Sequence, residues 1–322
     1  AVYAAGVDNS GVLQGTFITD NSAHALVQPL VCSKLITTTA LDLSASNHAL
    51  TCTDITIPTG ATLNGRGSTI TASGDFTTSG GLIGKSAVDF DGVDDSIDCG
   101  SGASIDDIWT GGGTVEAWIK PDGDGEGAGG IIAGKVFWFV NLSGETGGKS
   151  KLSFTKHFSG DDPQWTTVDT HISNGKWHHI AVTYNSGAGA NDPIFYIDGK
   201  QVAIVQDVEA GSDSMSTDAS SNLFLGNYSA DGSRTFDGHI GMVRLFTDVR
   251  TVTELRTDMF NDFASMDSTH LLAAMYQFDE GTGATTYDST TNDNDGTIDD
   301  GSNGSGAAWA GAGTFTYGTS TL

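Results

Sequence analysis

The chain has 322 residues and a mass of 33.3 kDa, which is enough for two or three domains. Its 14 basic residues face 40 acidic ones, giving a net charge of −26 and an isoelectric point near 4.2. Such a surface repels phosphate and excludes nucleic-acid binding. Because no stretch approaches about 18 consecutive apolar residues, we also expect no membrane span.

Residues 1–80 contain short apolar runs separated by turns that carry glycine. The spacing from Ile55 to Phe76 is typical of stacked short strands, as in a solenoid, although no strict repeat period is visible. So little apolar surface buries no large core by itself. We therefore expect a β-rich N-terminal arm that anchors the chain to neighbouring protein subunits in an oligomer.

The three cysteines, Cys32, Cys52 and Cys99, leave at least one thiol unpaired. Cys32 and Cys52 occupy similar apolar settings, so a bridge between them in an oxidising compartment is one alternative. We expect instead three buried thiols in strands, because three cysteines in a chain this long form no disulfide scaffold.

Stronger strand patterns begin near residue 81. The segment 113–122 alternates, with Val115, Ala117 and Ile119 on one side and polar or aromatic residues on the other. Comparable segments follow, each closed by turn residues. This succession indicates an all-β sandwich rather than alternating strands and helices.

Two local signals are more specific. Asp198 and Gly199 stand between apolar strand residues and predict a tight hairpin turn. Residues 251–259 show helical periodicity, and Thr251 with Glu254 three residues later forms a capping box. We expect one short helix there and few others.

Five motifs follow one another over roughly residues 85–262. They are AVDFDGVDDSIDCG (87–100), TVEAWIKPD (114–122), WHHIAVTYN (177–185), FYIDGKQV (195–202) and the run from LFLGNYS to TVTEL (223–255). In this order they resemble the laminin-G-like, concanavalin A-like family of jelly-roll domains, which includes pentraxin-type folds. The resemblance implies two antiparallel sheets packed face to face, often with bound calcium, that bind glycans or proteins more often than they catalyse.

The segment 276–298 also resembles a family segment, one usually placed before the jelly roll. Here it is either a displaced strand or the opening of a truncated second unit. We therefore predict an all-β chain with an N-terminal arm (1–80), a two-sheet antiparallel jelly-roll sandwich (81–262) and a C-terminal β extension (263–322).

Calcium is the ligand that the resemblance favours, because Asp-Gly turns supply the carboxylate and carbonyl oxygens that this ion takes. By resemblance, the two Phe-Asp-Gly motifs lie close in space, so we expect Asp91, Asp94 and Asp237 to hold a structural Ca²⁺. The alternative is that these residues form Asx turns with their own backbone. The acidic loops 122–127 and 291–296 fit calcium motifs less well and are expected to be solvated turns.

Catalysis is not expected. A glycoside hydrolase needs two carboxylates about 5–10 Å apart. In the glucanase branch of the family that the chain resembles, these lie on one face of one strand at i, i+2 or i+4, whereas here Glu116 is followed by Trp118 where a partner belongs. His178 and His179 are adjacent, so they face opposite sides of a strand and share no metal ion. We read both as structural.

A glycan site needs an exposed aromatic ring beside polar groups. Trp165 and Tyr228, with Asn227 and Asp231 near Tyr228, are the candidates, and a role for Trp165 as a loop anchor is the alternative. We predict a non-enzymatic structural or adhesive protein on a virion surface, such as a capsid decoration or fibre subunit of a tailed phage. The alternative is a secreted or cell-surface bacterial lectin-like adhesion module.

Overall fold

The computed structural model describes residues 16–18, 24–25, 30–36, 40–42, 50–57, 62–64, 70–72, 76–78, 86–158, 162–185, 191–208, 216–228, 234–259, 261–266, 271–299, 308–311 and 320–321. The chain divides into two compact units, Ala1–Leu82 with Ala312–Leu322, and Ile83–Gly311. No helix in these ranges is long and apolar enough to cross a membrane.

The first unit is built from short strands that stack in parallel. Its strands are β1 (Thr16–Ile18), β2 (His24–Ala25), β3 (Leu30–Ile36), β4 (Ala40–Asp42), β5 (Leu50–Ile57), β6 (Thr62–Asn64), β7 (Ile70–Ala72) and β8 (Phe76–Thr78). β1, β3, β5 and β7 form one parallel sheet, which β8 joins at β5, while β2, β4 and β6 form another. The last strand, Ser320–Thr321, pairs antiparallel with β7. The prediction of stacked, solenoid-like strands is confirmed.

The register shows why no strict repeat is visible in the sequence. Leu30, Leu50 and Ile70 stand in one row across β3, β5 and β7, 20 residues apart at each step. Thr16, however, pairs with Lys34, which is only 18 residues further on. The number of residues per turn of the stack therefore varies, and a search for one fixed period misses it.

The same register bears on the cysteines. Cys52 is disulfide-bonded, so the expectation of three thiols is wrong for this residue. Cys32 lies directly across from it on the neighbouring parallel strand. Cys99 is a buried free thiol in the second unit, as expected. Cys32 and Cys52 are 20 residues apart and occupy adjacent strands because that separation equals one turn of the stack.

The second unit carries the longer strands. They are β9 (Ser86–Asp91), β10 (Ser96–Asp98), β11 (Gly113–Pro121), β12 (Ile131–Lys135), β13 (Trp138–Ser143), β14 (Lys149–Lys156), β15 (Gln164–Thr167), β16 (Ile172–Ser173), β17 (His178–Tyr184), β18 (Ile194–Ile197), β19 (Lys200–Val202), β20 (Ile204–Val208), β21 (Phe224–Leu225), β22 (Asp237–Phe246), β23 (Leu272–Tyr276), β24 (Thr285–Thr286), β25 (Gly296–Asp299) and β26 (Ala308–Gly311). In its described residues the unit also has one α-helix, α1 (Val252–Asp258), and short 3-10 helices at Ala103–Ile105, Glu126–Ala128 and Phe263–Ser265.

These strands form two antiparallel sheets. The first has the order β20-β15-β14-β13-β12-β21-β10-β25-β24, with β16 beside β14. The second has the order β19-β18-β17-β11-β22-β9-β26, with β23 beside β22. We call them the ten-stranded and eight-stranded sheets. The predicted two-sheet jelly-roll sandwich with one short helix is confirmed.

The core lies between the inner faces of the two sheets. Val115, Ala117 and Ile119 of β11 are fully buried there, as their alternation predicts, and Phe154 and Trp165 contribute from the ten-stranded sheet. The hairpin turn is also as predicted: Asp198 and Gly199 both have positive φ and join β18 to β19.

The outer face of the eight-stranded sheet is covered by α1 and the residues that follow it. Thr251 caps this helix, since its hydroxyl accepts the Glu254 N–H and the Glu254 carboxylate accepts the Thr251 N–H. The Trp118 indole N–H donates to the Met259 carbonyl at 2.7 Å. Glu116 and Trp118 are therefore as buried as the core residues that alternate with them.

The C-terminal boundary differs from the expected one at residue 262. β23 pairs with β22, β25 pairs with β10, and β26 pairs with β9, all antiparallel. Strands β23, β25 and β26 thus complete both sheets instead of extending beyond them. The segment 276–298 is displaced along the sequence, and it is not the opening of a second unit.

Candidate functional site

Trp165, the first predicted glycan contact, is only 1% exposed. Its ring stacks on Phe154 with centroids 6.0 Å apart, and its indole N–H donates to Asp192 at 2.9 Å. A buried ring cannot stack on a sugar, so this prediction is wrong. Strand alternation is the reason, because β15 directs Trp165 into the core and its neighbour Gln164 outward.

Asn227 is also fully buried. Its amide group donates to the Asp95 carbonyl and the Thr235 hydroxyl, and its side-chain oxygen accepts the Tyr228 N–H. The prediction that Asn227 contacts a glycan is therefore wrong, and the residue instead fixes the backbone before Tyr228. Asp231 lies outside the described residues. Of the four candidates, Tyr228 is the one that the structure places at the surface.

Tyr228 borders a cavity of about 400 Å³ on the outer face of the ten-stranded sheet. Three directly opposed residues on adjacent strands form its floor: Phe139 pairs with Thr155, and Thr155 pairs with Gln164. The residues next to them along each strand face the core, which turns this row outward. We call this cavity the Tyr228 pocket. It is lined by Phe139, Thr155, His157, Asp162, Gln164, Tyr228 and Arg234.

One wall of the Tyr228 pocket is aromatic. The Tyr228 hydroxyl donates to the Val136 carbonyl at 2.8 Å, and the ring meets Phe139 edge to face at 5.7 Å. The Arg234 guanidinium carbon lies 4.4 Å from the centre of the Phe139 ring. Burial raises the pKa of Tyr228. The ring is thus held in place and stays neutral at physiological pH.

The floor offers polar groups that the described residues leave unsatisfied. Thr155 is 5% exposed, and its hydroxyl has no hydrogen-bond partner among them. The same holds for Nε2 of His157, whose Nδ1 lies 3.0 Å from a carboxylate oxygen of Asp162. Burial lowers the pKa of His157, so the ring is neutral near pH 7, donates from Nδ1 and offers Nε2 as an acceptor.

Of the three acidic residues predicted to hold calcium, Asp91 and Asp94 lie together, whereas Asp237 does not join them. Ligand oxygens of Asp91, Asp94 and Asp95 lie within 4.8 Å of one another. The Asp91 N–H donates to Asp95 at 2.7 Å, and Asp91 accepts the Val93 N–H at 2.8 Å, which is the Asx turn of the alternative reading. Asp237 lies across from Asp91 on the neighbouring strand instead of in this group. Sequence reasoning missed Asp95, although it follows Asp94 directly.

Negative charge accumulates around this turn. Burial raises the pKa of Asp237, and the carboxylates of Asp122, Asp89, Asp91 and Glu145 raise it further. A set of carboxylate oxygens fits a hard cation such as Ca²⁺ and does not fit a soft metal. The residues present therefore suit the ion that the resemblance implies.

Glu116, the glutamate that the sequence offered for glycoside hydrolysis, is engaged in a buried ion pair. Glu116 is 1% exposed, and one of its oxygens accepts a hydrogen bond from Arg244, directly opposite on β22. Burial alone would raise the pKa of Glu116, but the charge of Arg244 and the nearby His179, whose Nε2 lies 3.5 Å from a Glu116 oxygen, lower it to about 2. A general acid needs a raised pKa, so Glu116 lacks the chemistry of that role.

The histidine pair is held by structural contacts. His178 accepts the Ser173 N–H at its Nε2 and lies 2.9 Å from Asp198 through its Nδ1. His179 is buried on the opposite side of the strand, against Trp118. The two rings therefore contact different residues on opposite sides of the strand and cannot share one metal ion.

Residues 91–256, just over half of the chain, match the laminin G family model described as the concanavalin A-like lectin/glucanases superfamily. The predicted resemblance is confirmed. No curated protein matches the sequence.

The chain is also similar to several solved structures at low identity. A proposed carbohydrate-binding protein from Bacteroides ovatus is 20% identical with a TM-score of 0.49, and the match covers 73% of this chain and 62% of that one. A heptameric SAP-like pentraxin from Limulus polyphemus is 14% identical with a TM-score of 0.41, covering 54% and 82%. The CBM40 of a Ruminococcus gnavus sialidase, bound to α2,6-sialyllactose, is 14% identical with a TM-score of 0.36, covering 55% and 98%.

Proposed function

The chain belongs to the concanavalin A-like lectin/glucanases superfamily, and from that premise we propose that it is a non-enzymatic protein that binds carbohydrate in the Tyr228 pocket. One observation carries the proposal. Thr155 is almost fully buried in the floor of an open cavity, yet its hydroxyl has no partner among the described residues. A buried hydroxyl without a hydrogen bond is costly, and a sugar hydroxyl supplies the missing partner.

The rest of the pocket suits the same class of ligand. Its volume of about 400 Å³ is that of a small-ligand site. Tyr228 presents a fixed ring beside Gln164 and His157, which donate and accept hydrogen bonds. Sugars combine apolar C–H faces with a rim of hydroxyls, so one aromatic ring among neutral polar groups complements them.

The test is a glycan array followed by calorimetric titration of the full-length chain with the best ligand. Tyr228→Ala and Thr155→Val should each weaken binding by at least about tenfold, the loss expected for a stacking surface or a buried hydrogen bond. The matched control is Tyr287→Ala, because Tyr287 is 58% exposed and does not line the pocket. Equal binding by all three variants and the unaltered chain would place the site elsewhere.

We also propose that Asp91, Asp94 and Asp95 bind a structural Ca²⁺, with Asp237 adding negative charge from the neighbouring strand. The group of three carboxylates within 4.8 Å supports this assignment. Chelation should lower the melting temperature, and added Ca²⁺ should restore it. Asp94→Asn should lose this response, whereas the exposed Asp207→Asn should keep it. An unchanged melt with and without chelator would contradict the proposal.

For the first unit we propose an assembly role. It is a separate parallel-stranded unit that lies outside the family match, as expected of a device that anchors the carbohydrate-binding unit to a larger particle. A virion surface remains our first choice and a bacterial surface or secreted adhesion protein the alternative. The disulfide at Cys52 is consistent with an oxidising, extracellular setting in either case. Sedimentation velocity of the full chain should show a defined oligomer, and a monomer at every concentration would contradict the assembly role.

A further inference from the structure

Arg234 is a half-buried cation at the edge of the Tyr228 pocket. Lys135, Arg244 and Arg250 each form an ion pair with a carboxylate. Arg234 forms none with any described residue, although the chain has 40 acidic residues. Its guanidinium instead stacks on Phe139 at the edge of the Tyr228 pocket. A half-buried cation held this way is available to a ligand.

We propose that the Tyr228 pocket selects sugars that carry a carboxylate, such as uronic acids, through Arg234. This inference rests on the proposed carbohydrate-binding function and specifies its ligand class. A guanidinium offers parallel N–H groups that match the two oxygens of a carboxylate. The guanidinium carbon lies over the Phe139 ring, and no described residue accepts a hydrogen bond from its N–H groups, so these groups remain for a ligand.

The backbone around Arg234 makes room for this arrangement. A Cβ added at Gly129 would lie 2.5 Å from a terminal nitrogen of Arg234 and 3.0 Å from the side-chain nitrogen of Asn141. The glycine therefore permits the guanidinium to occupy its position over Phe139. Its φ of −179° is extended backbone that any residue adopts, so an alanine there acts by displacing Arg234 and not by straining the chain.

Burial lowers the pKa of Arg234, which shows that removing water from the cation is unfavourable. A bound carboxylate offsets that cost directly. Among the lining residues that the structure describes, Asp162 is the one acid; it lies 3.0 Å from His157 and is 57% exposed. Its charge is engaged by the imidazole N–H and screened by solvent, so it opposes an anionic ligand only weakly.

The experiment compares oligogalacturonides with their methyl esters, and the array adds neutral, carboxylated and sulfated glycans. The full-length chain should bind carboxylated sugars at least about tenfold more tightly than their neutral counterparts, as expected for one charge-assisted hydrogen bond. Arg234→Gln should abolish the preference, and Arg234→Lys should retain part of it. Gly129→Ala, which keeps the charge but displaces the guanidinium, should reduce it.

Lys200→Gln is the matched control, since it removes the same charge from an exposed hairpin position, and it should leave the preference intact. Binding of neutral glycans alone, or of sulfated glycans alone, would overturn the carboxylate assignment while the carbohydrate-binding function stands. Binding of no glycan would overturn both. Equal loss of preference in Lys200→Gln and Arg234→Gln would assign the effect to net charge and overturn the role of Arg234.

Discussion

Replacing Glu116 with glutamine should strongly destabilise the sandwich unit. Glu116 and Arg244 face each other on β11 and β22, and each is only 1% exposed. The substitution keeps the shape but leaves Arg244 as a buried charge without its carboxylate. Breaking a buried ion pair in this way costs about 3–5 kcal/mol.

The pKa of Glu116 gives an independent magnitude. It falls from 4.5 to about 2 in the folded chain, and at about 1.4 kcal/mol per pH unit this difference corresponds to roughly 3 kcal/mol of stability. Because the folded-state pKa is lowered, this stabilisation is fully present above pH 4.5 and is lost as the pH falls through the folded-state value of about 2. The variant has no carboxylate to protonate, so its deficit should shrink over the same interval.

Urea unfolding followed by tryptophan fluorescence measures this effect. All six tryptophans lie within residues 83–311, so the signal reports the sandwich unit alone. At pH 7 Glu116→Gln should lower the free energy of unfolding by about 3–5 kcal/mol, and the Glu116→Gln/Arg244→Met double variant should recover part of the loss. A deficit below about 1 kcal/mol, or one that stays constant down to pH 2, would refute the reasoning, and a raised Glu116 pKa would reopen an acid–base role.

Three further substitutions test the packing that positions the site, each by urea unfolding. Trp165→Ala should cost about 3–5 kcal/mol, as for a fully buried aromatic residue, without changing glycan affinity; weakened binding in the folded variant would contradict the core placement. Gly226→Ala should fail to fold stably, because its added Cβ would lie 1.9 Å from the Phe90 ring at a φ of +76°, and a near-normal melt would contradict that contact. Thr251→Ala should cost about 1 kcal/mol through loss of the helix cap, whereas Thr253→Ala on the same helix, which caps nothing, should cost less.

The sandwich was predictable because its signals are local. The alternation through Val115, the hairpin turn at Asp198 and the capping box at Thr251 each depend on a few adjacent residues, and each is found where the sequence placed it. The order of five such segments then identified the family fold. Local patterns of this kind do not depend on how the rest of the chain folds.

The candidate site was harder to predict because it depends on which side chains of a strand point away from the core. Trp165 and Gln164 are adjacent, and the sequence favoured the aromatic residue for sugar contact, whereas the fold buries it and exposes the glutamine. The pocket floor is a row across three strands, and that row exists only once the register joins Phe139, Thr155 and Gln164. Alternation within β14, where Leu152 and Phe154 face the core, was the one signal that could have indicated an outward Thr155.

Long-range pairing explains the remaining differences. The disulfide bond at Cys52 depends on which strands of the stack are neighbours. Because the number of residues per turn of the stack varies, no fixed period in the sequence shows this. The C-terminal strands join β22, β10 and β9 across more than a hundred residues of chain in two of the three cases. Such pairings depend on the packing of the whole unit, and the segment alone does not show which strand it joins.

The central claim is that the Tyr228 pocket binds carbohydrate, and a crystal structure of the full-length chain with the tightest glycan from the array tests it most directly. We predict a sugar ring against Tyr228, a sugar oxygen within hydrogen-bond distance of the Thr155 hydroxyl, and a carboxylate facing Arg234. A glycan bound at any other surface, with the pocket filled only by solvent, would contradict the account.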